Sequence, residues 1–268
     1  MIAKVKKMAN SPISYFGGKF RLAKKIIPLI PEHNCYVEPF CGAAWVLFKK
    51  DPNQSKHEVI NDLDQELVNF WRVIQNHIQP FLEYFKHAII SRKIFEIENR
   101  KDPTTLTDIQ RAVRYYYLQR LTFGGKSAGR IFAAGPSRPS NLNLLTLEES
   151  ILETHWRLAR VTIENMDACE CIEKYDRADT FFYLDPPYWD AAQDYAHKFN
   201  ADDFDRLRST LDALKGKFIL SLNDSPKVRE KFRGFKMLAL TTTYSSGNSR
   251  VAPDTRVKPR GELLINNL

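Results

Sequence analysis

Asp185-Pro186-Pro187-Tyr188 sets an acid, a rigid turn and an aromatic ring side by side, directly after the apolar run Phe181-Phe182-Tyr183-Leu184. A carboxylate accepts hydrogen bonds, the first proline leaves its carbonyl outside any strand ladder, and a tyrosine face stacks on flat groups. Together these parts are suited to holding a planar group that carries an exocyclic amine and to accepting both amine hydrogens on oxygen. The plainer reading is a strand-ending turn with a surface acid.

A second set of residues suits a nucleoside. Glu38-Pro39-Phe40-Cys41-Gly42 places a glycine between a strand and a helix, where a ligand can come close to the backbone and meet the helix amino end. It is not a G-x-G-x-x-G fingerprint, which argues against a pyrophosphate cradle. Asp62 follows about twenty residues later, where an acid accepts from both ribose hydroxyls. It is equally placed to cap a helix beginning near Leu63, and the two roles are compatible. Earlier, Tyr15-Phe16-Gly17-Gly18-Lys19 lacks the first glycine and the trailing Ser/Thr of a phosphate loop. Lys19 there suits a carboxylate and Tyr15 an adenine ring, with a surface loop as the alternative.

These residues need a scaffold, and the pattern supplies one. The run ending at Leu184 reads as a fully buried parallel strand stopped by the double proline, so Asp185 lies at the carboxyl end of a central strand, where open α/β sheets bind ligands. Residues 11–80 run loop, helix, strand, helix, strand, helix. Their strands are Cys35-Tyr36-Val37-Glu38 and Glu58-Val59-Ile60-Asn61, with helices expected over 43–50 and 63–78, a βαβα opening. Residues 81–150 differ: helical patterning over 81–98 and 107–121, then a stretch rich in Gly, Ser, Pro and Arg. They read as an inserted, mainly helical unit ending in a loop or hairpin. Residues 151–268 return to strands at 161–163, 181–184, 218–222 and 262–265, with helices over 204–214 and 226–232. The expectation is one α/β domain formed by 11–80 and 151–268, interrupted by a second unit at 81–150.

Composition sets the bounds. The 268 residues carry a net charge of +8 and a hydrophobic fraction of 43%. No apolar stretch reaches bilayer length and the amino terminus has no secretory pattern, so a cytoplasmic protein without a membrane is expected. The positive balance favours a polyanionic partner. Cys35, Cys41, Cys169 and Cys171 make no zinc pattern and read as reduced, buried, small apolar residues, so no metal is expected.

Taken in order, Tyr15-Phe16-Gly17-Gly18-Lys19, Glu38-Pro39-Phe40-x-Gly42, Asn61-Asp62 and Asp185-Pro186-Pro187-Tyr188 resemble the Dam-like (D12 class) DNA adenine-N6 methyltransferases, across nearly the whole chain. The resemblance implies a Rossmann-like S-adenosylmethionine-dependent methyltransferase sheet with an inserted, mainly helical DNA-recognition domain. Tyr15, Lys19, Glu38, Pro39, Phe40, Gly42, Asp62 and Asp185 would then line the cofactor, Lys19 at its carboxylate, and Asp167 would lie near its adenine. Asp185, Pro186 and Tyr188 would hold the target adenine, and Ser246 and Asn248 would sit in the loop beside it. The resemblance further implies double-stranded DNA as the partner, bound by a monomer or weak dimer.

Phe123, at the base of the Gly-rich stretch, is a candidate wedge for the space left by a flipped base, or else a core anchor. Arg120, Lys126, Arg130 and Arg138 are candidate DNA contacts, in a stretch with no acid between Gly124 and Asn143. Two departures from the family pattern stand out. Ala44 replaces the usual second glycine of the first turn, so weaker cofactor affinity is one expectation, although alanine is benign in the first turn of a helix. The hairpin lacks the family's Arg-Tyr-Asn pattern, so GATC specificity does not carry over. Rival readings are a methyltransferase of RNA amines or protein glutamine, which also end a strand in D/N-P-P-Y, and a non-catalytic DNA-binding protein on this fold. The insertion within the sheet and the retained Asp185 and Tyr188 argue against both.

Overall fold

The computed structural model describes residues 9–13, 19–122, 129–135, 139–189, 199–242 and 260–268. In chain order the elements are α1 (Phe20–Ile26), β1 (Cys35–Glu38), α2 (Trp45–Lys49), β2 (His57–Asn61), α3 (Gln65–Asn76), α4 (Ile78–Phe85), α5 (Arg92–Arg100), α6 (Asp108–Leu121), α7 (Leu147–Leu158), β3 (Val161–Glu164), α8 (Ala168–Tyr175), β4 (Thr180–Leu184), α9 (Ala201–Asp212), β5 (Lys217–Asn223), α10 (Pro226–Lys231), β6 (Lys236–Thr242) and β7 (Arg260–Asn266). The strands form one sheet in the order β3-β2-β1-β4-β5-β7-β6. Pairing is parallel from β3 to β5, while β7 runs antiparallel to both β5 and β6.

This order places the strand ends. After β1 the chain winds outward through β2 and β3, then crosses back to lay β4 on the other side of β1. A crevice opens at such a reversal, beyond the carboxyl ends of the strands, and it is the usual ligand site of open α/β sheets. The antiparallel β7 brings its early residues to the same edge.

Alternation along each strand divides the interior. Tyr36, Phe181, Tyr183, Ile219 and Leu264 enter one core with residues of α1, α2, α3 and α7. Val37, Phe182, Phe218, Leu220, Leu263 and Ile265 enter the other, against α8, α9 and α10. Both faces of the sheet are thus covered, which is why β4 is buried along its whole length and reads as an unbroken apolar run.

The middle region packs into the first of these cores. Phe70 of α3 meets Phe81 of α4 and Tyr115 and Tyr116 of α6, with ring centroids 5.7–6.0 Å apart. Helix α6 opens with a capping box between Thr107 and Gln110.

Several expectations need correction. The helix expected over 81–98 is two helices, α4 and α5. Between them the Tyr117 hydroxyl of α6 donates to the Ile89 carbonyl at 2.9 Å and accepts from the Ser91 amide at 3.3 Å, satisfying backbone that has left the helical ladder. Ser91 then caps α5. Helices α7 and α8 and strand β6 add to the elements expected from periodicity, and Cys35 is half-exposed rather than buried. At the base of the expected hairpin, Thr122 pairs with Phe132 in an antiparallel bridge.

Candidate active site

The turn after β1 is built from both sides. The Cys41 amide donates to the Asn61 carbonyl, and the Gly42 amide donates to Asp62 Oδ2, both at 2.9 Å. Asn61, almost fully buried, donates its side-chain amide to the Pro39 and Met166 carbonyls and accepts from the Met166 amide. One amide group thereby ties together the carboxyl ends of β1, β2 and β3. Asp62 is not the helix cap: Asp64 takes that role, accepting from the Glu66 and Leu67 amides, which leaves Asp62 tied back to the glycine turn.

Gly42 adopts φ +46°, the left-handed region in which glycine carries no Cβ penalty. Ala44 also lies there, at φ +52°, as the residue that caps α2. The expectation that alanine is benign here fails, because this residue precedes the helix instead of lying within its first turn. A left-handed alanine costs about 1–2 kcal/mol. Glu38 supports the turn from beneath: it is buried and accepts from the Tyr36 hydroxyl at 2.8 Å and the Leu47 amide at 2.7 Å. Burial pushes its pKa up to about 8, against the pull of those two donors, with Asp185 adding to the rise.

At the carboxyl end of β4 stands a cluster of charge. Lys19 Nζ, 3% exposed, lies 2.8 Å from Asp185 Oδ1 and 3.4 Å from Glu262 Oε1. It also donates to the Tyr188 hydroxyl at 2.8 Å, and that hydroxyl donates to Glu262 Oε2 at 2.7 Å. The Ser221 hydroxyl of β5 donates to Glu262 Oε1. Burial alone disfavours charge on Lys19, yet Asp185, Tyr188 and Glu262 hold its ammonium well above the usual range. Burial raises the Asp185 pKa to about 6; Lys19 opposes the rise and Glu262 adds to it. Lys19 thus lies between two acids of the chain itself.

Asp167 caps α8, accepting from the Cys169 and Glu170 amides, and pairs with Arg206 of α9. It lies just past β3, on the rim of the same crevice. Phe40 is half-exposed there and meets Phe199 edge to face, with centroids 5.6 Å apart.

The family model of D12 class N6 adenine-specific DNA methyltransferases matches residues 15–246. The chain belongs to this family. It is a DNA adenine methyltransferase, and S-adenosylmethionine is the methyl donor that goes with the family. It is 28% identical over 233 residues to the Type II methyltransferase M.CviBI of Paramecium bursaria Chlorella virus NC1A, a match covering 83% of this chain and 86% of that one. It is also 28% identical over 252 residues to the Type II methyltransferase M1.LlaDCHI of Lactococcus lactis subsp. cremoris, covering 86% and 87%. The DNA N-6-adenine-methyltransferase of Escherichia phage P1 is 25% identical over 256 residues, which are 87% of this chain and 33% of that protein.

The methyltransferase brings Lys19, Asp185 and Tyr188 into one contact group, and Pro39, Phe40, Gly42 and Asp62 into one turn. Arg120 is occupied within the protein: its guanidinium donates to the Pro12 carbonyl at 3.3 Å and to that of Asn141, tying two loops together. Arg130 is half-buried; together with burial, which is the larger cause, it pushes down the pKa of Arg114. Tyr15, Phe123, Lys126, Arg138, Ser246 and Asn248 lie outside the described residues. Glu262 and Ser221 escaped the sequence reading, although an acid opening the otherwise apolar run Leu263-Leu264-Ile265 is a visible signal. Among the described residues, no helix is long and apolar enough to cross a membrane.

Proposed function

We propose that the methyltransferase acts on an adenine flipped out of double-stranded DNA, held at the carboxyl end of β4 by Asp185, Pro186 and Tyr188. The observation that carries this reading is the position of Asp185 at the reversal of strand order, with Lys19 on Oδ1 and Tyr188 alongside. The crevice fits the cofactor: the left-handed Gly42 lets a ligand approach the backbone, and the half-exposed Phe40 and Asp62 offer an apolar face and acceptors for ribose hydroxyls. Asp167 on the β3 rim is assigned to the same ligand's base. When bound, S-adenosylmethionine would supply an electrophilic methyl group, its sulfonium sulfur keeping the electron pair of the sulfur–methyl bond that breaks and becoming a neutral thioether.

The residues of the chain do the rest. An exocyclic adenine amine is a poor nucleophile because its lone pair is delocalised into the ring. With its two hydrogens donated to the Asp185 carboxylate and the Pro186 carbonyl, the nitrogen becomes pyramidal and the lone pair localises. As the new nitrogen–carbon bond forms, positive charge builds on nitrogen beside the ionised Asp185, which stabilises it. The proton leaves the nitrogen afterwards, toward the same carboxylate. Flipping the base costs a few kcal/mol, and stacking on Tyr188 returns about 1–3 kcal/mol of that.

Residues 81–150 are assigned to target recognition, with Lys126, Arg130 and Arg138 on the DNA, Phe123 as the wedge, and Ser246 and Asn248 beside the base. Arg120 is assigned to positioning that segment through its two loop contacts. The enzyme is proposed to work as a monomer or weak dimer, in the cytoplasm and without a metal, and GATC specificity is not assigned to it.

The test is transfer of labelled methyl from S-adenosylmethionine to unmethylated duplex DNA, with base-resolved sequencing of the product. N6-methyladenine in one context is the expected outcome and gives the recognition site. Methylation of single-stranded DNA only, or transfer to another base, would overturn the reading.

A further inference from the structure

We propose that Glu262 is a positioning residue for methyl transfer, acting through Lys19 and Tyr188 to set the geometry of Asp185. This inference rests on the assignment of Asp185 to the target amine. Glu262 comes from β7, the antiparallel strand inserted between β5 and β6, and is paired in register with Asn223, the last residue of β5. Its carboxylate therefore reaches the same ends of the strands as Asp185 from two strands away, across β5, and the residue is 1% exposed.

The two oxygens are used differently. Oε2 accepts from the Tyr188 hydroxyl at 2.7 Å. Oε1 accepts from Ser221 and faces Lys19 at 3.4 Å. The Tyr188 hydroxyl donates to Glu262 and accepts from Lys19 at 2.8 Å, so its single proton has a fixed direction and the ring is held at its polar tip. A ring held in this way meets a base in one orientation, which lowers the entropy lost on stacking.

Lys19 is shared between Asp185 at 2.8 Å and Glu262 at 3.4 Å. Were its charge given wholly to Asp185, the carboxylate would be a weaker acceptor for the amine and a weaker stabiliser of positive charge. Glu262 keeps the cation divided. Among the described residues, the charged and titratable groups that act on Asp185 are Lys19 from the segment before α1, Tyr183 from β4, Glu262 from β7 and Glu38 from β1, with Tyr188 joined to them through Lys19. Burial is the main cause that raises the Asp185 pKa; Lys19 opposes it and Glu262 adds to it. Nothing in the sequence motif around Asp185 calls for an acid nearly eighty residues later.

The test is E262Q, which keeps the shape and turns one acceptor into a donor. Its kcat on duplex DNA should fall roughly 10–100-fold, the scale expected when a reacting group is misplaced. S-adenosylmethionine affinity by calorimetry should be unchanged, and the acid limb of the pH–rate profile should move to lower pH. Y188F keeps the ring and removes the shared hydroxyl. In the double variant the two losses should not multiply, because both break the same chain of contacts. Wild-type kcat and an unmoved acid limb in E262Q, or multiplying losses, would overturn the proposal. If E262Q fails to fold, Y188F carries the test, and wild-type kcat in that variant overturns it. D185N is measured alongside: its inactivity keeps the assignment of Asp185 whatever Glu262 does, whereas methylation by D185N removes that assignment and this inference with it.

Discussion

The described residues bury charge at both ends of the parallel strands, and the two clusters have opposite composition. At the amino ends, Glu58 of β2 accepts from Arg157 of α7 at 2.6 and 2.9 Å and from Lys50 at 2.9 Å, one acid between two cations. Arg157 also donates to the Leu47 carbonyl, and Lys50 to the Asp51 carbonyl and Ser55 hydroxyl. At the carboxyl ends, Lys19 lies between Asp185 and Glu262, one cation between two acids. The first cluster joins α2, β2 and α7 through these contacts. The second has two acids to one cation among the described residues, at the place proposed for methyl transfer to an amine. Buried ion pairs contribute little net stability against apolar replacements, but breaking one is costly. The first cluster is thus a strut, and the second is proposed to meet a charge that arises on the substrate.

The contrast can be broken by mutation. Asp185→Ala should lower kcat by at least about 10³-fold in protein that remains folded, consistent with loss of a preorganised electrostatic group; turnover close to wild type would place the chemistry elsewhere. At the other end, Arg157→Ala should destabilise the fold by about 3–5 kcal/mol in denaturant unfolding, and in conditions where it remains folded should leave the acid limb of kcat/KM where it was. Loss of that limb would mean the two clusters communicate.

Titration separates them further. Asp185 must be ionised to accept the amine, so kcat/KM should rise with pH through about 6 and level off above it. Glu38 gives a stability signature of the opposite slope. Its folded pKa of about 8 exceeds the usual glutamate value of about 4.3, so the folded chain holds the proton more tightly. The stability tied to this proton is fully present below about pH 4.3 and is lost as pH rises toward about 8. Glu38→Gln should remove that slope, which denaturant unfolding at about pH 5 and about pH 8.5 would detect. The smallest effect concerns the turn itself: Ala44→Gly should stabilise the protein by about 0.5–1 kcal/mol, the left-handed penalty less the added chain entropy. A loss of stability there would show that the buried Ala44 methyl packs to greater benefit than its backbone strain costs.

Much of the scaffold was legible because its signals are local. A strand such as Thr180–Leu184, covered on both faces, has to be apolar throughout, and a double proline has to end it. The same holds for Cys35–Glu38 and His57–Asn61, and for the start of α6 at Thr107, where side chains and backbone a few residues apart decide the conformation. The break between α4 and α5 was not legible, because the group that satisfies its backbone is Tyr117, supplied by another helix. The left-handed Ala44 was hidden for a related reason: alanine favours helix, and the turn imposes the strain from outside.

By itself, then, the sequence determined that a parallel α/β sheet forms, that Asp185-Pro186-Pro187-Tyr188 stands at the end of a central strand, and that Gly42 and Asp62 follow the ends of two other strands of that sheet. Periodicity, chain-breaking prolines and glycine freedom act over a few residues and leave their mark in the sequence. Only the tertiary structure decided which charges meet. Lys19, Asp185, Tyr188, Ser221 and Glu262 come from four separate parts of the chain, and their contacts depend on the strand order and on β7 running antiparallel. The chain has 40 basic and 32 acidic residues, and sequence separation does not say which of them folding will bring together, still less which pairs it will remove from water.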